Sequence, residues 1–304
     1  MQIAVIGAGA MGSLFGGRLA EAGNDVVLVD VDQAHVSAIN EAGLRLEADD
    51  GDRRIRVAAG PADSFEGARD LLLVFTKGMH TEKAVASASH LIGPQTWALT
   101  VQNGLGNADV IARYVRPENI AFGMTNFPAD LKGPGHVASH GSGTVSIWTL
   151  SGRHDPRIDD IQRTLSAAGL PCTADPQVEV AIWEKVAFNA ALNSISAVAK
   201  LTVGAIGDHE EGRRLAQSIV AETLAIAKAR GLAVDANRTS HALEHAFNSN
   251  RSHQPSMLQD VLAGRPIEIA TINGAIVAAG RALGIEAPVT ETLFRLVKLI
   301  EAKP

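Results

Sequence analysis

Short apolar runs alternate with helical patterns along the first half of the chain. Four runs have the length and composition of strands buried on both faces: 2–6, 26–30, 71–75 and 97–101. Helical patterns lie between them, at about 11–22, 33–41 and 80–92, and the second can be capped by Asp32. Strand and helix in alternation predict a parallel sheet with crossover helices.

The second half of the chain has a different pattern. Helical spacing dominates from about residue 158: 158–168, 178–199, 209–230, 235–247, 256–263, 267–283 and 289–302. Before it, residues 43–60 suggest a short hairpin or a sheet edge, and 133–149 is rich in turn residues and then strand-like. We therefore predict an α/β N-terminal domain with a Rossmann-type parallel sheet, residues 1–174, and an all-α C-terminal domain, residues 175–304.

Composition narrows the classes of function. The chain has 304 residues, which is enough for two domains, and 46% of them are apolar, which is enough for a hydrophobic core in each. Its net charge is −6. It has no run of Lys or Arg, so we expect neither nucleic acid nor an anionic membrane as a partner. The single cysteine and the uncharged, glycine-rich residues 1–17, which lack a positive signal-peptide region, favour a cytoplasmic protein.

The glycine loop that follows the first predicted strand has the G-x-G-x-x-G spacing. It opens a helix within a strand–helix–strand unit, which is the context that dinucleotide binding requires. Glycines suit the tight turn, the close approach of a pyrophosphate and the packing of helix on strand, and helix amides bind the phosphate charge. We predict that the loop binds the cofactor through Gly7, Ala8, Gly9, Ala10, Met11 and Gly12. The alternative is a glycine-rich turn that binds nothing.

Asp30 ends the second predicted strand. A carboxylate at this position accepts hydrogen bonds from both ribose hydroxyls of NAD and repels the 2′-phosphate of NADP. Val31 and Asp32 follow, so no Arg or Lys is at hand to hold a phosphate. This favours NAD over NADP; the alternative is that Asp30 caps a helix or faces solvent.

A polar stripe crosses the apolar segment WEKVAFNAALNSISA at 183–197. Lys185, Asn189 and Asn193 recur every four residues and so share one face of a helix. One interpretation is a polar edge where the helix meets solvent. The other is a functional face, because short amides donate and accept in fixed directions and a desolvated lysine releases its proton more easily.

At this point the chain resembles a known family, the ketopantoate reductases (2-dehydropantoate 2-reductases). The resemblance covers nearly the whole length and rests on motifs in the family's order and spacing. They are GAGAMG at 7–12, TKG at 76–78, QNGLG at 102–106, GPGHV at 133–137, WEKVAFNAALN at 183–193, SMLQD at 256–260 and PIEIATING at 266–274. The resemblance implies an active site in a cleft between the two domains and a homodimer.

The resemblance also implies roles for single residues. Lys185 matches the family's proton donor. The substrate-binding residues implied are Asn103, Asn189, Asn193 and Ser256. In addition to the glycine loop and Asp30, the implied cofactor-binding residues are Lys77, Asn103, Ala129 and Glu268, and no metal is expected.

Two departures from the family pattern shape the expected reaction. Val31 stands where many members have an Arg that binds the 2′-phosphate of NADP, and Val203 stands where some have a substrate-binding Asn. Asp30, beside Val31, and Val203 both favour the family's NAD-dependent D-2-hydroxy-acid dehydrogenases of the D-mandelate type. The sequence therefore predicts hydride transfer between NAD and C2 of a small branched 2-oxo or 2-hydroxy acid, with Lys185 as general acid and base.

Three alternatives stay open. The chain can be a strictly NADPH-dependent ketopantoate reductase of pantothenate biosynthesis, a non-catalytic NAD-binding protein, or an amino-acid or opine-type dehydrogenase with the same fold. The lysine and the amide stripe favour an enzyme over a silent binding protein.

Overall fold

The computed structural model describes residues 1–302, and the chain divides into two compact units. Unit 1 comprises residues 1–102 and 107–178, and unit 2 comprises residues 103–106 and the chain from residue 179 onward. The short segment 103–106 thus groups with the helices that follow much later in the sequence. The boundary predicted between residues 174 and 175 remains a prediction about independently folding domains, which this division does not test.

The main sheet of unit 1 has eight strands. Its strands in chain order are β1 (Gln2–Ile6), β2 (Asp25–Val29), β5 (Ala58–Gly60), β6 (Leu71–Val74), β7 (Trp97–Thr100), β8 (Ile120–Thr125), β11 (Val145–Thr149) and β12 (Cys172–Ala174). Their spatial order is β12-β11-β8-β7-β6-β1-β2-β5. All neighbours pair in parallel except β8 and β11, which are antiparallel.

Both faces of this sheet are covered, as a parallel sheet requires. In β1, Ile3 and Val5 pack in one apolar cluster, whereas Ala4 and Ile6 pack in another. This period of two explains why the predicted strands are continuous apolar runs. The helices of unit 1 are α1 (Ala10–Glu21), α2 (Gln33–Ala42), α3 (Thr81–Ser87), α4 (Asn107–Ile111) and α5 (Pro156–Ala167).

A smaller sheet lies in unit 1 beside the main one. Its strands are β3 (Leu44–Ala48), β4 (Gly51–Ile55), β9 (Asp130–Gly133) and β10 (His136–Ser139), in the order β4-β3-β10-β9. The hairpin predicted within 43–60 is β3 and β4, while β5 is an edge strand of the main sheet, so both interpretations of that segment apply.

The sequence analysis missed several elements of unit 1. Strands β8 and β9 and helix α4 were not predicted, and β12 lies in the part expected to be free of good strands. The reason is that β9 is exposed and β12 has only three residues, so neither shows a sustained apolar pattern.

Unit 2 is helical, and no strand occurs in residues 179–302. Its helices are α6 (Val178–Ala199), α7 (Val203–Gly207), α8 (Glu210–Ala229), α9 (Ala236–Ser249), α10 (Ser256–Leu262), α11 (Ala275–Ala282) and α12 (Pro288–Glu301). The single helix predicted over 267–283 is wrong at its start, because a π-helical turn at Ala270–Gly274 precedes α11. Helix α7, which has five residues, was not predicted.

The fold class predicted from the sequence is confirmed: a Rossmann-type, mostly parallel sheet is followed by an all-helical part. Within the described residues, the helices include none with both the length and the apolar character needed to cross a bilayer.

Candidate active site

Two glycines of the loop between β1 and α1 are required by the protein's own packing. Gly7 has φ +94°, and a Cβ there would lie 2.7 Å from the backbone nitrogen of Thr76. At Gly12 a Cβ would lie 1.9 Å from the carbonyl oxygen of Gly7. The loop can therefore close only with glycine at these two positions.

Gly9 is a different case, because nothing lies within 4 Å of the position that its Cβ would occupy. Helix α1 starts directly after it, at Ala10, and its first turn has no acidic residue and no side-chain cap. Amides at an uncapped helix start favour an anion, and the space above Gly9 is open for one. The loop therefore fits the pyrophosphate of a dinucleotide.

Asp30 holds this loop through its carboxylate. Its Oδ2 accepts a hydrogen bond from the amide of Ala8 at 2.6 Å, and its Oδ1 accepts from the amides of Val31 at 2.7 Å and Asp32 at 3.0 Å. The side chain that caps α2 is that of Asp32, which accepts from the amide of His35. The alternative in which Asp30 caps this helix is therefore wrong.

The predicted cofactor residues of unit 1 follow the carboxyl ends of strands in one sheet. The glycine loop follows β1, Asp30 follows β2, Lys77 comes shortly after β6, and Ala129 comes shortly after β8. Because β2, β1, β6, β7 and β8 are parallel to their neighbours, these ends share one edge of the sheet. This edge is where open α/β sheets bind their ligands.

The Gln102 side chain stiffens the same edge. It accepts a hydrogen bond from the Thr100 hydroxyl at 2.8 Å and donates to the Thr81 hydroxyl at 2.9 Å and to the carbonyl of Thr76. Lys77 and Ala129 are both partly buried. The Thr76 segment that packs against Gly7 is therefore held in place by the protein's own hydrogen bonds.

In unit 2 the polar stripe lies on the largely buried helix α6. Every residue from Val178 to Val198 is buried or partly buried, and Asn193 is only 6% exposed. Lys185 and Asn189 are partly buried, so this burial favours the interpretation of the stripe as a functional face over that of a solvent-facing edge. Polar side chains with this degree of burial need partners or a ligand.

Lys185 is the chemically distinctive member of the stripe. Burial lowers the pKa of its ammonium group to about 8, and the negative charge of Glu268 opposes that shift. Glu268 is itself partly buried. The structure thus brings these two predicted residues close enough to interact, and it gives the lysine a proton that can be exchanged near neutral pH.

The π-helical turn at 270–274 positions the segment that carries Asn103. The carbonyl of Thr271 accepts a hydrogen bond from the amide of Leu105 at 2.9 Å. Gly104 has φ +88°, and a Cβ there would lie 2.3 Å from the same carbonyl oxygen. Asn103 is therefore placed in unit 2 by a glycine that lets two backbones meet.

Asn273 connects this turn to α6. It is fully buried, and its Nδ2 donates to the carbonyl of Ala190 at 3.2 Å. Its Oδ1 has no hydrogen-bond partner within the part of the chain that the structure describes. The sequence analysis missed Asn273 and Thr271; an asparagine in the otherwise apolar stretch IATING was the available signal.

Two further positions in unit 2 differ in exposure. Ser256 is exposed and begins α10 directly after Pro255, so its hydroxyl is accessible. Val203 is 1% exposed and belongs to the apolar core of unit 2. The sequence analysis placed Val203 where some relatives have a substrate-binding Asn, and a contact with substrate at this position does not agree with this burial, since such a residue must be accessible.

Metal ligation finds no support in residues 1–302. The described side chains include no group of three or more His, Cys, Asp or Glu residues that could hold an ion.

The parallel sheet with its glycine loop, and the helical unit with its buried lysine, define a class: dinucleotide-dependent oxidoreductases with a helical second unit. The family model described as ketopantoate reductase PanE/ApbA matches residues 3–152, and the model for the C-terminal region of the same enzymes matches residues 177–301. The chain belongs to the ketopantoate reductase family, whose members are oxidoreductases that bind a nicotinamide cofactor.

Curated relatives and solved structures agree with the family models. The 2-dehydropantoate 2-reductase of Pyrococcus horikoshii is 34% identical over 304 residues, covering 99% of this chain and 98% of the relative. That of Halobacterium salinarum is 33% identical over 305 residues, covering 99% of both.

Among solved structures, the ternary structure of D-mandelate dehydrogenase with NADH and anilino(oxo)acetate has a TM-score of 0.94 and 32% identity, covering 99% of this chain and 98% of that one. A PanE/ApbA family ketopantoate reductase from Ralstonia eutropha has a TM-score of 0.92 and 32% identity, with the same coverage.

Proposed function

We propose that this protein is an NAD-dependent oxidoreductase that interconverts a small branched 2-oxo acid and its 2-hydroxy acid. The observation that carries the proposal is Lys185, an ionisable group inside a covered helix, with a lowered pKa and Asn189 and Asn193 on the same face. A buried lysine of this kind is costly to keep, and proton transfer is the use that its pKa suits.

Lys185 has two tasks in the proposed reaction. The bound cofactor supplies or accepts the hydride at C2 of the substrate. During reduction the substrate's carbonyl oxygen gains negative charge, which the Lys185 ammonium stabilises before it gives up a proton. During oxidation the neutral amine takes the proton of the hydroxyl group.

The remaining polar residues orient the substrate. The side-chain amides of Asn103, Asn189 and Asn193 can donate to a carboxylate or a carbonyl, and the accessible Ser256 hydroxyl can do the same. The placement of Asn103 by the π-helical turn and of Asn189 and Asn193 by α6 supports this role. The charge of Glu268 acts on Lys185, so Glu268 can help to hold the proton donor in its charged form.

The choice of NAD rests on the end of β2. Asp30 accepts three amide hydrogen bonds, which hold its charge beside the glycine loop. The carboxylate retains acceptor capacity for ribose hydroxyls and repels a 2′-phosphate. Val31, where many relatives carry an Arg, is 86% exposed and offers no cation. Lys77, Ala129 and the loop from Gly7 to Gly12 complete the proposed cofactor site.

The substrate class is supported by similarity to D-mandelate dehydrogenase, whose structure with NADH and anilino(oxo)acetate superposes on this chain. A second candidate, NADPH-dependent ketopantoate reduction, is supported by curated relatives named 2-dehydropantoate 2-reductase.

We also propose a homodimer, which sedimentation of the purified protein tests.

The deciding experiment measures kcat/KM with NADH and NADPH against a panel of 2-oxo acids: ketopantoate, 3-methyl-2-oxobutanoate and benzoylformate. We expect NADH to be preferred at least tenfold, because removing an anion–anion clash is worth more than about 1.4 kcal/mol. Preference for NADPH with ketopantoate identifies the second candidate. Binding of NADH without turnover of any oxo acid, with or without added amines, identifies a non-catalytic binding protein.

A further inference from the structure

The GPGHV turn at 133–137 is a feature that the proposed reaction does not explain. Gly135 has φ +68°, and a Cβ there would lie 2.9 Å from the Cβ of Ala38 on α2. Its carbonyl accepts from the amide of Arg45 at 2.8 Å, and its amide donates to Nδ1 of His35 at 3.0 Å. Glycine is therefore needed for this turn to reach the imidazole on α2.

His35 is 2% exposed, and its contacts define one arrangement of protons. A backbone amide can only donate, so Nδ1 of His35 is the acceptor and Nε2 carries the proton. Nε2 lies 3.2 Å from the Ser13 hydroxyl and donates to it. The Ser13 hydroxyl in turn donates to the carbonyl of Ala8 at 2.6 Å. Each donor in this buried chain thus has its acceptor.

The chain of hydrogen bonds ends on the glycine loop. The amide of Ala8 donates to Asp30 and its carbonyl accepts from Ser13, so this residue is held on both sides. In a planar trans peptide the carbonyl and the following N–H point in opposite directions. With the Ala8 carbonyl turned towards the buried Ser13, the N–H of Gly9 points the opposite way, and Gly9 is exposed.

We propose that His35 is a positioning residue for the dinucleotide: through Ser13 it fixes the Ala8 carbonyl and so aims the Gly9 amide at the pyrophosphate. This inference rests on the proposed binding of NAD at the glycine loop. The GPGHV turn serves the same purpose, because the Gly135 amide selects the imidazole tautomer that can donate to Ser13.

The first test is Ser13→Ala, which leaves the Ala8 carbonyl and the His35 Nε2 proton without partners. We expect the Kd for NADH, followed by its fluorescence, to rise about tenfold. At saturating NADH, kcat stays within about twofold of the unaltered enzyme, because the reacting groups are untouched.

The matched control is Thr96→Val, which also removes a buried hydroxyl that donates to a carbonyl and accepts from an N–H. Thr96 precedes β7 and so lies at the opposite edge of the parallel sheet from the glycine loop. We expect this variant to lose stability but to bind NADH as the unaltered enzyme does.

The second test compares two replacements of His35. The amide of Gln reaches the place of Nε2 and can donate to Ser13, whereas the shorter Asn reaches the place of Nδ1 and can only serve Gly135. We expect His35→Gln to keep most of the NADH affinity and His35→Asn to lose about tenfold. Adding Ser13→Ala to His35→Asn causes little further loss, because both break the same path.

If His35 had only a structural role, His35→Gln and His35→Asn would lower the NADH affinity to the same extent. The expected order of the two variants therefore distinguishes positioning from a structural role. We expect the affinity of these variants for ADP-ribose, which contains the pyrophosphate, to fall together with that for NADH, and their affinity for adenosine to stay unchanged. We also expect histidine nitrogen NMR of the unaltered enzyme to show a neutral ring with its proton on Nε2, a measurement that needs no variant.

The outcomes separate the two hypotheses. If the unaltered enzyme does not bind NADH, the proposed function fails. If it binds NADH and both Ser13→Ala and His35→Asn bind it equally well, the role of His35 is wrong although the proposed function stands. An Nδ1–H or charged imidazole in the spectrum also overturns the inference.

Discussion

The two units present ligand-facing groups in opposite ways. In unit 1 the candidate cofactor site is made largely of backbone: glycines that a Cβ would block, uncapped amides at the start of α1, and an aspartate held by three amides. In unit 2 the candidate substrate site is made of side chains, among them Lys185 on the largely buried helix α6. Phosphate recognition needs only aimed N–H groups, whereas proton transfer needs an ionisable side chain.

The groups that are energetically costly to bury lie in unit 2. A charged Lys185 is disfavoured by burial, Asn273 leaves a buried oxygen without a partner in residues 1–302, and a π-helical turn interrupts the helical pattern. Such features persist where function requires them. By contrast, the described polar groups of Ala8 and Asp30 in unit 1 are paired. The comparison predicts that changes in unit 2 alter turnover and changes in unit 1 alter cofactor affinity.

The largest expected effect is that of Lys185→Ala. We expect kcat to fall about a thousandfold in both directions, since general acid–base catalysis and charge stabilisation are lost together. The Kd for NADH stays within about twofold, because the backbone site in unit 1 is unchanged. Steady-state rates and NADH fluorescence measure the two effects.

Lys228→Ala is the control for this change, because Lys228 is an exposed lysine on α8. An unaltered kcat in the Lys185 variant refutes its catalytic role, and a large rise in its Kd for NADH refutes the separation of tasks between the units.

The next effect is expected at Asp30. Asp30→Asn places an NH₂ group against main-chain amides that now donate to the carboxylate, so one donor loses its acceptor. We expect the Kd for NADH to rise about thirtyfold, a typical loss for a charge-assisted hydrogen bond. We also expect the preference for NADH over NADPH to become smaller. Values of kcat at saturating NADH change little.

Asp25→Asn provides the comparison, because Asp25 is exposed at the opposite end of the same strand β2. Its Kd for NADH should match that of the unaltered protein. Equal losses in the two variants contradict a local role for Asp30.

The pH dependence should follow the lysine. Reduction needs the protonated ammonium, so kcat/KM for the oxo acid at saturating NADH falls about tenfold per pH unit above about 8. Oxidation needs the neutral amine, so its kcat/KM rises with pH and levels off above about 8. Profiles that bend in the same direction for both reactions exclude Lys185 as the shared acid and base.

The same pKa shift affects stability with a defined sign. Between about pH 8 and the ordinary lysine value of 10.5, the unfolded chain binds the Lys185 proton and the folded chain does not. The contribution of Lys185 to the free energy of unfolding therefore becomes more favourable as the pH rises through this window. Lys185→Met should flatten that part of the profile.

More of the candidate site in unit 1 than of that in unit 2 could be predicted from the sequence, and the reason is physical. The glycine loop, β1 and Asp30 form one local unit whose spacing is visible in 30 residues. The partners of Lys185 are scattered: Glu268 follows it by more than 80 positions, and Asn103 precedes it by about as many. Periodicity could show that the stripe exists, but only tertiary packing could show that α6 is largely buried.

The elements that were missed follow the same logic. A short strand such as β12, or the π-helical turn at 270–274, is stabilised by its neighbours rather than by its own pattern. Val203 shows the limit of inferring a role from a matching position, because that position suggested a contact with substrate, whereas packing placed the side chain in the core.

The smallest expected effect concerns how the 103–106 segment is held, and two glycines in that segment make a matched pair. Gly104 has φ +88° and Gly106 has φ +85°, but only Gly104 meets the Thr271 carbonyl; nothing lies within 4 Å of a Cβ at Gly106. Gly106→Ala should therefore lower the free energy of unfolding by about 1 kcal/mol, the cost of a left-handed alanine.

Gly104→Ala adds the clash to that same backbone cost. We expect it to lower the free energy of unfolding by about 3 kcal/mol, because the Leu105–Thr271 hydrogen bond must lengthen or break. Asn103 then shifts, so we expect KM for the oxo acid to rise several-fold. The Kd for NADH should be the same in Gly104→Ala and Gly106→Ala. Urea unfolding and steady-state rates measure both. If the two alanines have equal effects on KM, backbone contact with the π-helical turn does not position Asn103, and the substrate site depends on α6 alone.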